Sequence, residues 1–205
     1  MFYSVRIPAW FIKLNHSLVW KIPTTEKILY LTFDDGPHET ATPFVLDQLK
    51  QFNAKATFFC LGKNVASHPD IYKRILNEGH ATGNHTYNHL NGWKEKKEKY
   101  IDDITDAAKY INSKLFRPPY GRVSPFVLKT LCKKLGYKII MWHVLSGDFD
   151  EENTPEKCSE NVINNAVPGS IIVFHDSQKA WNSLKLALPE VLKKFTEKGF
   201  SFKHL

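Results

Sequence analysis

The sequence predicts a mainly parallel α/β domain, closed as a (β/α) barrel of about seven strands. Three observations carry this reading. Short apolar runs alternate with amphipathic stretches along nearly the whole chain, Pro-led starts and Gly stops punctuate the amphipathic stretches, and a polar cluster follows one apolar run after another. Strands that alternate with crossover helices pair in parallel, and about seven such units in one domain fit a barrel better than a small open sheet. A doubly wound open sheet is the alternative, and either architecture collects its chemistry at the carboxyl edge of the strands.

After an irregular opening, the first apolar run, 28–33 (ILYLTF), reads as a strand and runs into Asp34-Asp35-Gly36-Pro37. An amphipathic helix is expected at 43–52, with the Thr42 hydroxyl as its cap and Pro43 at its first position. The run 56–61 (ATFFCL) is the second strand, and a helix at 69–77 ends before Gly79. A third strand at 80–84 leads into His85-Thr86-Tyr87-Asn88-His89, and a long helical pattern spans 94–113. The short fourth strand, 115–117, is followed by Pro118-Pro119-Tyr120-Gly121. A helix at 125–135, capped by Ser124 and stopped by Gly136, precedes a fifth strand at 138–143 and the polar segment Ser146-Gly147-Asp148-Phe149. Thr154-Pro155 opens a helix at 155–165, the strand at 170–175 ends in His175-Asp176, and a helix at 184–198, stopped by Gly199, precedes a last strand at 200–203.

With 205 residues, 42% of them hydrophobic, the chain has the size of one domain with one substantial core, so a single active site is expected. A net charge of +7 raises association with anionic surfaces, although sign alone does not choose among them. The densest basic run, 94–99 (KEKKEK), interleaves Glu and Lys at helical spacing and reads as a solvated helix face, so no nucleic-acid partner is expected. Cys60, Cys132 and Cys158 form no CxxC pair, which supports neither a disulfide framework nor a zinc–thiolate site. Cys60 and Cys132 are expected as buried thiols. Residues 1–23 are interrupted by Arg6, Lys13, His16 and two prolines, so they supply neither an uninterrupted secretory core nor a membrane span of roughly 20 residues, and an intracellular or unconventionally placed protein is expected.

The polar clusters carry the chemistry. Consecutive strand residues point to opposite faces, so Asp34 and Asp35 share a site only if the strand ends there, which Gly36-Pro37 allows; DDGP is also a good turn sequence. His85 and His89 stand four residues apart, one helical turn, and with a carboxylate they would form a two-His, one-carboxylate site with open positions for zinc, iron or another divalent ion. Arg117 precedes two stiffening prolines, and His143 and His175 lie at or near the ends of apolar runs, where a histidine is commonly a satisfied structural residue.

Taken in order, TFDDGP, HTYNH, RPPYG, the SGDF segment and IIVFHD resemble the NodB-homology polysaccharide deacetylases, carbohydrate esterase family 4, over residues 27–205. The resemblance implies a distorted, incomplete (β/α) barrel for that domain, with residues 1–26 as an extension packed on it. It further implies a metal-dependent N-deacetylase acting on an acetylated amino-sugar glycan, peptidoglycan or chitin-like. Asp35, His85 and His89 match the metal ligands, for zinc first and cobalt, iron or nickel as alternatives. Asp34 matches the catalytic base, Arg117 the residue that orients it, and the loop at Tyr120 the source of an oxyanion-binding amide. His175 matches the general acid and Asp148 the carboxylate that tunes it. Leu145 stands where many members have Asp and Phe149 where many have Trp, departures that bear on the acyl pocket or sugar subsite. The competing readings are hydrolysis of another amide or a cyclic imide, and a carbohydrate-binding relative without catalysis.

Overall fold

The computed structural model describes residues 3–15 and 17–205. The apolar runs become β1 (Ile28–Asp34), β2 (Ala56–Cys60), β3 (Ala81–Asn84), β4 (Leu115–Phe116), β5 (Lys138–Ile139), β6 (Val144–Leu145), β7 (Ile171–His175) and β8 (Ser201–Phe202). Every pairing among them is parallel, in the order β5-β4-β3-β2-β1-β7-β6, and β8 joins the starting end of β1 at Ile28 and Leu29. The seven strands of that path curl into an open half-barrel, the incomplete barrel the motifs imply, and not a doubly wound sheet.

Helices α1 (Ala9–Leu14), α2 (Ala41–Gln51), α3 (Gly62–Ser67), α4 (Pro69–Asn77), α5 (Lys97–Ala108), α6 (Pro125–Lys133), α7 (Pro155–Ile163) and α8 (Trp181–Glu197) connect and cover the strands. On β1, alternation sends Leu29, Leu31 and Phe33 into the main core beside Val45, Leu46, Leu188 and Leu192. Phe33 stacks between Phe58 and Phe174 at 5.1 and 6.1 Å. Each fully buried aliphatic or aromatic side chain here contributes about 1.5–3 kcal/mol. The same alternation leaves Thr32 and Asp34 on the other face, inside the half-barrel. None of the described helices is long and apolar enough to cross a membrane.

Several local expectations are corrected. The run 138–143 is two strands, β5 and β6, because β5 pairs with β4 and β6 with β7 at opposite edges of the sheet, and residues 140–143 cross between them. The N-terminal extension fills that opening: Arg6 bridges Val144, Val19 bridges Ile140 and Lys21 bridges Ser170. Thr42 is not a cap. It lies inside the first turn of α2, accepts the His38 amide at 2.8 Å and donates to the Asp176 carboxylate. Ser124 and Thr154 do cap, accepting the amides of Val127 and Lys157 at 3.4 and 3.2 Å. The pattern at 94–113 yields only the 12-residue α5. Cys60 and Cys158 are buried but Cys132 is exposed, since it follows the core-facing Leu131 by one residue, a rotation of about 100° around α6.

Candidate active site

The register of the sheet builds the site before any side chain is considered. Asp34, the last residue of β1, pairs with His175, the last residue of β7, while Cys60 of β2 pairs with Asn84 of β3 and Asn84 with Phe116 of β4. The polar residue that follows or closes each strand therefore falls on one carboxyl edge. Asp35 comes next at φ 77°, a left-handed turn that swings its carboxylate to the same side as Asp34. The turn is held from β7: the Gly36 amide donates to Asp176 Oδ1 at 3.2 Å, and the Asp176 amide donates to the Asp34 carbonyl at 3.1 Å. Gly36 has no room for a side chain, because a Cβ there would lie 2.1 Å from Asp176 Oδ2. Burial raises the Asp176 carboxyl to about 8.

Arg117 is fully buried and fixed from four directions. Nη1 donates to Asp34 Oδ1 at 2.6 Å and to Thr32 Oγ1 at 2.7 Å, Nη2 to the Met141 carbonyl at 2.9 Å and Nε to the Ile140 carbonyl at 3.3 Å. Its guanidinium also lies 4.1 Å from the centroid of the Phe59 ring. A buried pair this densely bonded aims one oxygen of Asp34 at Arg117 and leaves the other free. Burial lowers the guanidinium's affinity for its proton, and Asp34 opposes that effect.

The two histidines meet across a loop and not, as their spacing predicts, on a helical turn. Thr86 at φ 70° and His89 at φ 63° are left-handed, a geometry no α-helix admits. Asn84 Oδ1 accepts the Thr86 amide at 2.8 Å, and Thr86 Oγ1 accepts the His89 amide at 3.0 Å. From α5, Asp103 Oδ2 accepts the amides of Tyr87 and Asn88, both at 3.0 Å, while its Oδ1 accepts Asn88 Nδ2 at 2.7 Å. His85 Nδ1 lies 2.7 Å from the Arg117 carbonyl, which can only accept, so the proton sits on Nδ1 and the Nε2 lone pair faces the site. Burial holds His85 down at about 4, hence neutral. His89 Nδ1 lies 3.2 Å from the Tyr120 hydroxyl.

Asp35 Oδ1 stands 3.6 Å from His85 Nε2 and 3.2 Å from His89 Nε2. Neighbouring ligands of a tetrahedral zinc ion, at its usual bond lengths, lie roughly 3.3 Å apart. Asp35 Oδ1 is also a buried oxygen with no hydrogen-bond partner. Two imidazole nitrogens and an unpartnered carboxylate oxygen, all facing one point, are the donor set a divalent cation requires, so the residues fit the group. Burial disfavours charge on Asp35, but the nearby imidazole of His89 and the potential of His175 and His85 hold its carboxyl well below the usual range.

His175 closes the opposite wall. Its Nδ1 lies 2.8 Å from Asp148 Oδ1, and its amide donates to Asp148 Oδ2 at 2.7 Å. Burial by itself would lower this imidazole; the Asp148 carboxylate reverses that and lifts it to about 9. The result is a cleft of about 460 Å³ lined by all of Asp34, Asp35, His85, His89, Tyr120 and His175, with Leu145 and Phe149 in its wall. Arg117 and Asp148 stand behind Asp34 and His175. His143 lies apart, buried on Ser170 Oγ at 2.8 Å, the structural role its position allowed.

Four participants escaped sequence reasoning: Asp103, Asn84, Asp176 and Tyr3. Asp176 stood inside the IIVFHD segment with no role attached to it. Tyr3 arrives on the N-terminal extension, packs on Phe149 at 5.0 Å, bonds Asn153 through its hydroxyl and lines the cleft; Phe149 in turn meets the His175 ring at 5.2 Å. No periodicity announces a tyrosine that reaches a site across the seam of a barrel.

The polysaccharide deacetylase family model matches residues 21–140. A peptidoglycan-N-acetylglucosamine deacetylase from Bacillus cereus is 38% identical over 90% of this chain and 89% of its own length. A peptidoglycan-N-acetylmuramic acid deacetylase from Bacillus subtilis is 33% identical over 89% of this chain and 71% of its own. Among solved structures, the Bc1960 peptidoglycan N-acetylglucosamine deacetylase superposes with a TM-score of 0.88 at 35% identity, covering 95% of this chain and 94% of that one.

Proposed function

The chain belongs to the polysaccharide deacetylase family, and we propose that it is a metal-dependent hydrolase that removes N-acetyl groups from the N-acetylglucosamine units of a glycan, peptidoglycan foremost, and releases acetate. The observation that carries this reading is the placement of two separately braced groups, Asp34 on Arg117 and His175 on Asp148, in one cleft with the Asp35, His85 and His89 donor set.

Amide hydrolysis needs a base for water, stabilisation of the oxyanion and an acid for the departing nitrogen. Asp35, His85 and His89 would hold a divalent cation, zinc first and cobalt, iron or nickel as alternatives, which when bound supplies Lewis-acid polarisation of the acetamide and a more acidic water. Asp34 takes the proton as water attacks, aimed by its bond to Arg117. The backbone amide at Tyr120, on the loop carried beyond β4, donates to the oxyanion. His175, protonated at neutral pH because Asp148 lifts it to about 9, gives its proton to the nitrogen so that an amine leaves and not an amide anion.

Acetate release from N-acetylglucosamine oligomers tests this with chelated protein, with and without added zinc, cobalt or iron(II). Metal-restored release that Asp34→Asn abolishes is the expected result. Silence with every metal, despite tight metal binding, would refute deacetylation of these sugars.

A further inference from the structure

The charges of the chain are segregated along its sequence. All 21 side-chain carboxylates lie outside residues 1–25 and 107–147, whereas the first of these segments holds Arg6, Lys13 and Lys21 and the second holds seven cations besides the buried Arg117. The fold brings the two segments together. Ile7, Ile12 and Trp20 of the first pack in one apolar cluster with Val127, Leu131 and Tyr137 of the second, so α1 and α6 cover the same small core. On α1, Ile12 faces that cluster, while Trp10 and Leu14, one turn apart on the opposite side, are 65% and 73% exposed with Lys13 beside them. Phe11 is also exposed, which puts three large apolar side chains in water on one six-residue helix. On α6, Phe126, Lys129 and Lys133 fall at i, i+3 and i+7 and share an exposed face.

The chemistry of this surface selects its partner. A glycan needs hydrogen-bonding groups, and the side chains of α1 offer only the Lys13 ammonium and the Trp10 indole N–H. A second copy laid face to face would set lysines against lysines, because the same patch serves both partners of a twofold pair. An acidic polymer would meet the cations but leave Trp10 and Leu14 in water. An anionic bilayer surface uses both features: apolar side chains enter the boundary between headgroups and acyl chains, where Trp is favoured, and the surrounding cations meet lipid phosphates. We propose that the α1 and α6 face is a docking surface for an anionic lipid membrane, which holds the protein peripherally and without a spanning helix. This inference does not depend on the deacetylase reading. The candidate active site stays close to the docked face, since Trp142 in the cleft wall meets the Trp20 ring of the same cluster at 6.4 Å.

The test is co-sedimentation of the full chain with vesicles of phosphatidylcholine, alone or mixed with phosphatidylglycerol, at low and raised salt. Binding to the mixed vesicles is expected, weaker on phosphatidylcholine alone and weakened by salt, with a blue shift of tryptophan emission as Trp10 leaves water. Trp10→Ser with Leu14→Ser is expected to weaken binding by about tenfold or more and to remove the shift. Lys129→Gln and Lys133→Gln are each expected to weaken it by about fivefold on the mixed vesicles and hardly at all on phosphatidylcholine. These side chains are exposed, so thermal unfolding of every variant is expected to match the wild type, which separates lost docking from lost folding. No binding to the mixed vesicles at low salt overturns the inference. Binding that falls in the lysine variants but is unmoved by Trp10→Ser with Leu14→Ser overturns it as well, and assigns the face to an acidic polymer. A dimer in sedimentation velocity that Trp10→Ser disperses overturns it in favour of a second copy of the chain.

Discussion

Asp103→Ala removes the carboxylate that shapes the histidine loop without touching the cleft. Asp103 is only 5% exposed and accepts three hydrogen bonds, from the Tyr87 amide, the Asn88 amide and Asn88 Nδ2. Bonds to a charged acceptor are worth about 1.5–3 kcal/mol each, but the three do not simply add. The Asn88 side chain is exposed and returns to water, and the Tyr87 amide keeps the Asp103 carbonyl, 3.1 Å away, in the alanine variant. The uncompensated loss is mainly the Asn88 amide and part of the Tyr87 amide, about 2–4 kcal/mol. At about 2–4 °C per kcal/mol for a chain of this size, Tm falls by roughly 5–15 °C. Removing a partner that orients metal ligands lowers metal affinity by about 10-fold to 100-fold. In Asp103→Asn the amide oxygen still serves the backbone donors and its NH2 turns toward the exposed Asn88 side chain, so about 1–2 kcal/mol is lost and most metal affinity survives. Thermal unfolding followed by circular dichroism and zinc competition with a chromophoric chelator read the two effects separately. Unchanged zinc affinity in a destabilised Asp103→Ala would refute the reasoning, because the histidines would then hold their positions without this carboxylate.

Three further outcomes follow from the same geometry. Arg117→Met leaves Asp34 buried and unpaired and is expected to cost about 3–5 kcal/mol in urea unfolding; a wild-type midpoint would show that the pair does not brace the interior. His175 must be protonated to act as an acid, so with its pKa raised to about 9 the alkaline limb of kcat is expected near pH 9, and Asp148→Asn moves that limb down in pH; a limb that stays in place removes Asp148 from this role. Because the folded pKa exceeds the ordinary 6.5, the stability contributed by the same pair is full below about 6.5 and is lost as pH rises through about 9. Tyr3→Ala, which strips one wall of the cleft and the support of Phe149, is expected to raise KM several-fold with a smaller change in kcat, whereas Tyr3→Phe keeps the ring and restores most of KM; equal kinetics in all three proteins would place Tyr3 outside the site.

The strands and the carboxyl-edge clusters were legible because they rest on local chemistry. A continuous apolar run marks β1, which is buried on both faces, and once the strands are parallel, the register carries Asp34 and His175 into line without further information. The histidine pair was legible in composition but not in conformation. A spacing of four is what a helical turn requires, and nothing in HTYNH states that Thr86 and His89 adopt φ near +65°, because the residues that enforce it, Asn84 and Asp103, act through side-chain bonds from the end of β3 and from α5. Likewise Thr42-Pro43 is locally a good cap, and only the buried Asp176 carboxylate, 134 residues away, draws the hydroxyl elsewhere.

The N-terminal extension shows the same limit on a larger scale. The motifs place the domain at residues 27–205 and leave residues 1–26 as an extension packed on it, with nothing to say where it packs. An incomplete barrel has two free edges, however, and a free edge exposes unpaired amides and carbonyls that must find partners. Here the two edges, β5 and β6, are consecutive in the chain, so the opening between them is a single seam bounded by residues 138–145. Val19 and Arg6 pair along that seam, the Ile7 amide reaches the His143 carbonyl at 3.0 Å, and the Leu145 amide reaches Val5 at 2.8 Å. The backbone need of the seam thus fixes the path of the described part of the extension, which passes beside Leu145 and Phe149, the two positions that the resemblance marks as departures. Tyr3 fills space against Phe149 there, so the shape of the cleft at those departures is set jointly by the domain and the segment that closes it.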